Sequence, residues 1–286
     1  MNYIINQYVK CVPVLGLILI LSACVTDNTT SYKSASYIIK NNEIYNNQLI
    51  KNLKNYYKGN NVFFFGFALW GGESWSENDI VDLKSTFSNF YPNRKFYSFI
   101  FSNKETSVPG AYPSIQDDLI NRSLNFVKKR VSDRDIVIFS FSSHGRKNKI
   151  ANKIGNTRAS SINSKTIKGY LSKFSQYNKI IIISSCYSGS FINNIKDRRS
   201  VIFTAASKDN KSFGCGPTDT NTWFVTAFTE AFDKLKMDQP KSKLTLGSIF
   251  SKTREIVSVY EISENKIPSN PQLFIGNKVD KSIIRY

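Results

Sequence analysis

The sequence predicts an α/β fold: a mostly parallel central sheet with helices on both faces, in three layers. Two observations carry this expectation. Continuous apolar runs, at Val62–Leu69, Asp135–Ser142 and Lys179–Ser185, are the mark of strands buried on both faces. Between them lie segments with apolar residues at helical spacing, such as Ile80, Leu83, Phe87 and Phe90, and strands alternating with helices make a parallel sheet. At 286 residues the chain can form one large α/β domain or two small ones, and 41% hydrophobic with 21% charged residues excludes a disordered tail, a collagen-like repeat and a polytopic membrane protein.

Taken in order, residues 12–21 are an apolar run behind Lys10, too short to span a bilayer and suited to the core of a signal peptide. The run ends in Leu21-Ser22-Ala23-Cys24, which resembles the lipobox of bacterial lipoproteins. That resemblance implies removal of residues 1–23 and a lipid on Cys24; an ordinary cleaved signal or an anchor helix is the alternative. Residues 24–58, rich in Asn, Ser, Thr, Tyr and Lys, read as a tether that spaces the folded domain, 59–280, from a membrane, with 281–286 as a tail.

Within the domain the expected strands are Val62–Leu69, Lys95–Phe101, Asp135–Ser142, Lys179–Ser185, Val201–Ala206 and Gln272–Ile275. The expected helices are Glu77–Phe90, Ser114–Arg130, Ser164–Phe174, Thr222–Leu235 and Leu246–Tyr260. Ser114 is the N-cap of the second helix, with Asp117 and Asp118 in its first turn. The Phe-rich runs read as core, and Asp133 and Asp135, at the start of a strand, read as solvated or capping residues.

A net charge of +18 does not mark a nucleic-acid binder: Lys far outnumbers Arg, the basic residues spread along the whole chain, and no basic run is interleaved with stacking aromatics. The scarcity of two residue types is more informative. There is one histidine, His144, and four cysteines, at positions 11, 24, 186 and 215. One imidazole excludes a multi-His metal site, and the sequence calls for no metal or other cofactor. Any His-dependent chemistry runs through His144.

His144 and Cys186 each follow the carboxyl end of an expected strand, where the loops of a parallel sheet converge. A thiol nucleophile needs a partner that accepts its proton and passes it to a leaving amine, and imidazole, with a pKa of about 6.5, suits the task. Gly145 lets backbone approach a substrate, and its N–H can join that of Cys186 in an oxyanion hole. Gly189 suits a tight turn into a helix whose N-terminus favours thiolate. Singly, each residue has a bland alternative: a hydrogen-bonded core histidine, a small core thiol. In an exported chain Cys215 is either a structural thiol or the disulfide partner of Cys186.

The stretches Ile136-Val-Ile-Phe-Ser-Phe-Ser-Ser-His144-Gly145 and Ile180-Ile-Ile-Ile-Ser-Ser-Cys186-Tyr-Ser-Gly-Ser-Phe191 resemble the legumain-type cysteine peptidases of family C13, and most closely the bacterial members. Asp209–Cys215 and Pro268–Gln272 are similar to segments downstream of the nucleophile in those proteins. The resemblance runs from about Val62 to Gly276 and implies a caspase-like fold. It also implies peptide-bond hydrolysis by a Cys186–His144 dyad with an oxyanion donor at Gly145. Eukaryotic legumains carry an acid two residues before the nucleophile, where this chain has Ser184, and neither their second pocket acid nor their pocket Arg has a counterpart. Asparaginyl specificity therefore does not transfer, and Ser184, Ser212 and Trp223 stand as pocket candidates. The expectation is a lipid-anchored cysteine endopeptidase of the bacterial envelope, acting on protein or peptide. The alternatives are a transpeptidase using the same dyad and a non-catalytic envelope lipoprotein that keeps the fold.

Overall fold

The structure, a computed structural model, describes residues 51, 59–104, 111–112, 117–155, 158–238, 240 and 244–286. The signal segment, nearly all of the tether, Cys11, Cys24 and the expected cap Ser114 lie outside the described residues. The domain is built on a seven-stranded sheet. In chain order its members are β1 (Asn61–Ala68), β2 (Lys95–Ser102), β3 (Ala111–Tyr112), β4 (Ile136–Ser142), β8 (Asn178–Ser184), β9 (Ser200–Thr204) and β10 (Gln272–Ile275). Their spatial order is β10-β9-β8-β4-β1-β2-β3, parallel throughout except where β10 runs against β9.

Burial on both faces explains why β1, β4 and β8 are apolar without alternation: every residue in them is buried. One face, with Val62, Phe64, Ile138 and Ile182, packs against α1 (Trp75–Phe90), α5 (Trp223–Asp238) and α6 (Leu246–Ser263). The other face, with Phe63, Phe65, Phe67, Phe139 and Ile183, packs against α2 (Asp117–Lys128), α3 (Ser164–Ser172) and the short α4 (Ile192–Ile195). The three layers expected from the sequence are present. Parallel pairing in register stacks like on like across this second face. Phe67 lies between Phe101 and Phe141 at 5.0 and 4.6 Å, and Phe65 between Phe99 and Phe139 at 5.0 and 5.2 Å. Each such ring pair is worth about 1 kcal/mol beyond the area it buries.

Asp133 is solvated and Asp135 takes the capping role, buried: one carboxylate oxygen accepts from the Asn61 backbone N–H and side-chain amide, both at 2.8 Å, and the other from the Ser132 N–H and hydroxyl, both at 2.8 Å. It ties the start of β1 to the start of β4, and four donors offset the cost of burying its charge. The two-residue edge strand β3 was not expected. Nor was a separate three-stranded antiparallel sheet, β5 (Gly145–Arg146), β6 (Lys149–Asn152) and β7 (Ser160–Asn163), inserted between β4 and α3. Its buried apolar side chains are Ile150 and Ile162, too little signal to read from four-residue strands. The Asn103 amide donating to Asn152 Oδ1 at 2.7 Å and the Ser143 hydroxyl donating to the Ala151 carbonyl at 2.7 Å add to its docking.

Candidate active site

The chain leaves β1 toward β2 and β3 on one side, then returns to place β4 and β8 on the other, so the strand order reverses between β1 and β4. A crevice opens at the carboxyl ends of strands flanking such a reversal. The candidate residues gather at this crevice.

Register sets their spacing. Ser142 pairs with Ser184, and the ladder is extended by the Ser143 N–H donating to the Ser184 carbonyl at 3.2 Å. His144 and Cys186 therefore leave neighbouring parallel strands, which run about 4.8 Å apart, at matched positions. The two loops stay in contact: a Cβ built on Gly145 would fall 2.4 Å from the Cys186 carbonyl oxygen and 2.8 Å from the Ser185 hydroxyl. No side chain other than hydrogen fits. The Gly145 N–H is also free of the hairpin it begins. Ala151 N–H donates to His144 C=O at 2.8 Å, and bonded pairs alternate along an antiparallel ladder, so Gly145 falls in a non-bonded pair with its N–H turned outward.

The turn after Cys186 differs from expectation. Tyr187, not Gly189, takes the left-handed conformation, at φ +58°. Gly189 is required instead by close approach, since a Cβ there would lie 2.7 Å from the Lys208 backbone nitrogen. The chain continues in a 3-10 turn, Ser188–Phe191, and the four-residue α4, too short to supply a useful helix dipole. The thiolate must be favoured by other groups, and the segment 207–215 supplies them. It is held in place by the Tyr187 N–H donating to the Asn210 carbonyl at 2.8 Å. Cys186 Sγ lies 3.4 Å from the Ser212 carbonyl oxygen and 3.8 Å from the Ser212 hydroxyl.

Cys186 and Cys215 are both free thiols, and each shifts the titration of the other. Interaction with Cys215, helped by Ser212 and the Lys211 charge, pulls the Cys186 thiol below the ordinary thiol range against the effect of burial, while Cys215 is pushed up by its interaction with Cys186 and by burial. Replacing Cys215 by alanine is therefore expected to raise the midpoint pH of Cys186 alkylation by about one unit, as followed by the rate of iodoacetamide modification against pH. An unchanged midpoint would show that Cys215 does not tune the nucleophile.

His144 stands edge-on to two indoles, with ring centroids 4.4 Å from Trp70 and 5.1 Å from Trp75. Burial lowers its pKa and the Lys153 charge adds to this, while Glu73 opposes both, so the imidazole is neutral at pH 7 and ready to accept a proton. Of the pocket candidates, Ser212 lies beside Cys186, and Trp223 heads α5 with its ring 5.3 Å from that of Phe213. Ser184 is fully buried and bonded to the Thr222 hydroxyl at 2.8 Å, so it lies beneath the crevice rather than lining it.

The residue that sequence reasoning missed is Asp79. Wholly buried on α1, it accepts from the Ser142 hydroxyl at 2.6 Å, and from the Thr222 hydroxyl and N–H at 2.8 and 2.9 Å. Through Ser142 and the Thr222–Ser184 bond it ties together the ends of β4 and β8, two residues before His144 and Cys186. The available signal was an acid on the same helical stripe as Leu83, Thr86 and Phe90. Burial raises its pKa from 3.8 to about 6 despite these donors. The folded chain thus holds a proton more tightly than the unfolded chain, and the associated stability is full below 3.8 and lost as pH rises through about 6. Relative to Asp79→Asn, which does not titrate, the wild type is expected to gain about 2 kcal/mol in unfolding free energy from pH 7 to pH 4, read by denaturant titration.

Beside His144 and Gly145 lies a cavity of about 510 Å³, walled by Trp70 and the small antiparallel sheet; Cys186 is not in its lining.

Residues 115–279 match the profile of the peptidase C13 family. The chain belongs to that family. Its fold is similar to the crystal structure of caspase-1 from Spodoptera frugiperda, with a TM-score of 0.51 at 11% identity, covering 79% of this chain and 92% of that one. No curated protein matches the sequence. Family and fold are those of cysteine peptidases, and the C13 match spans α2 to the segment after β10, so both His144 and Cys186 lie inside it.

Proposed function

We propose that this C13-family chain is a cysteine endopeptidase in which Cys186 and His144 form the catalytic dyad. The observation that carries the reading is the matched exit of the two residues from β4 and β8, with Gly145 against the Cys186 backbone. Cys186 Sγ attacks the scissile carbonyl and its proton passes to His144. The N–H groups of Gly145 and Cys186 hold the oxyanion. As the C–N bond breaks, His144 gives that proton to the leaving amine, and a thioester remains on Cys186. Water, deprotonated by His144, then hydrolyses the thioester and the thiol recovers its proton. Ser212 and Trp223 border the acyl-side pocket. The test is labelling with a thiol-reactive acyl probe under reducing conditions: the adduct should map to Cys186 by mass spectrometry, and an unlabelled protein would overturn the reading.

The same proposal places the enzyme on the bacterial envelope through a lipid on Cys24, supported by the lipobox-like Leu21-Ser22-Ala23-Cys24 behind an apolar run. Cys24→Ala is expected to move the protein from the membrane to the soluble fraction in cell fractionation. A variant that stays with the membrane would sink the lipoprotein assignment.

A further inference from the structure

The small antiparallel sheet has two unlike faces. Ile150 and Ile162 pair across β6 and β7 and point into the domain core, at 0% and 7% exposure. Strand residues alternate, so Lys149, Ala151 and Ser161 point the other way, toward the cavity beside His144. There Gly145, Ala151, Ala159, Ser160 and Ser161 supply a lining of small residues, to which Arg146 and Lys149 add two cations. Arg146 and Lys149 sit directly opposite each other across the β5–β6 ladder. Like charges so placed repel, an arrangement that weakens a hairpin unless an anion joins them. Among the described residues no acidic side chain does so. The nearby acids are engaged elsewhere: Asp209 pairs with Lys147 at 2.6 Å, and Glu73 accepts from the Trp70 indole N–H. Lys153 Nζ, over the Trp70 ring at 4.9 Å, is a third cation beside the cavity wall.

The position of this cavity assigns its occupant. His144 lines it and Cys186 does not. The acyl half of a substrate becomes bonded to Cys186, whereas the half whose nitrogen takes the proton from His144 departs on the histidine side. We infer that the cavity between Trp70 and the β5–β6–β7 sheet is the leaving-group subsite of the peptidase and that Arg146 and Lys149 select a carboxylate there. The carboxylate is either an acidic side chain just after the scissile bond or the C-terminus of a short leaving fragment. This inference rests on the peptidase reading for its direction, while the anion site itself does not depend on catalysis.

Two measurements test it on the full-length protein. In the first, peptides share an acyl side that the wild type cuts and carry Glu, Gln or Lys as the first residue after the scissile bond. Exposed ion pairs each change affinity roughly two- to fivefold, so kcat/KM is expected to favour Glu over Lys by about tenfold at low ionic strength. The order should flatten in the Arg146→Ala/Lys149→Ala double variant and in about 0.5 M salt. A parallel pair with a neutral dipeptide leaving fragment, free acid against amide, separates the two carboxylate sources. A preference confined to the free acid and lost in the double variant supports the site with the C-terminus as its ligand. In the second measurement, Cys186→Ala protein binds leaving fragments that begin with Glu or Lys and bear a neutral C-terminal fluorophore, followed by anisotropy. Tighter binding of the Glu fragment, lost with Arg146 and Lys149, supports the site even if no peptide is cut, an outcome that would count against the peptidase reading alone. Equal handling of all fragments by the wild type, or an order that survives the double variant, overturns the inference.

Discussion

Cys186→Ala is expected to abolish peptide hydrolysis, lowering kcat/KM by about 10⁴-fold or more. The nucleophile is the one group in the proposed mechanism that forms a bond to the substrate. The neighbouring Cys215 thiol, pushed well above the ordinary thiol range by burial as well as by Cys186, is not ionised to replace it. Without a nucleophile, only ground-state positioning and the oxyanion donors remain, and they sustain a small residue of catalysis. The substitution removes one sulfur from a partly buried site and leaves the backbone contact with Gly145 in place. Folding should therefore be nearly unaffected, and a melting temperature within a few degrees of wild type makes the loss a chemical one. Activity above about 1% of wild type in this variant would remove Cys186 from the mechanism.

The second large effect is expected at His144. His144→Ala should cut the hydrolysis of amide substrates by about 10²- to 10⁴-fold, the range contributed by a positioned acid–base group. Bulk loss between Trp70 and Trp75 complicates a simple reading, because any large truncation there leaves a void. The leaving group resolves this. An amine must be protonated to depart, whereas an activated ester leaves without a proton, so the variant should lose far less on an activated ester than on the matching amide. A merely structural His144 would depress both substrates alike.

Much of this architecture is legible in the sequence because its signals are dense. In β1, β4 and β8 the apolar runs need no alternation, and the Gly, Ser, His and Cys residues just beyond them mark the carboxyl ends. The pairing of His144 with Cys186 is legible because the chain has so few residues of either type. The features that are not legible depend on contacts remote in sequence. Asp79 lies 63 positions from Ser142 and 143 from Thr222, so its burial looks like a defect in an amphipathic helix until α1 and α5 are placed together. Ser184 reads as a pocket residue because of its distance from Cys186, yet the pleat turns it into the bonded layer below. Sequence favours Gly189 for the turn because glycine is the usual left-handed residue, whereas Tyr187 makes it and the missing side chain of Gly189 serves the neighbouring segment. The small sheet is invisible because two isoleucines cannot announce three strands.

The dyad and the cavity beside it rest on parts of the molecule that open at different free energies. β4 and β8 lie in the middle of the sheet, paired on both sides and covered on both faces, so their amides exchange with solvent only when the whole domain unfolds. The wall carrying Arg146 and Lys149 belongs to strands of two to four residues, held by Ile150, Ile162, the Asn103–Asn152 bond and the backbone bonds of Lys153 to Leu69 and Gly71, and this small sheet opens at lower cost than the central strands. The hairpin tip at Arg146 and Lys149 can therefore open while His144 and Cys186 hold their places, whereas an opening that reaches Gly145 takes a proposed oxyanion donor with it.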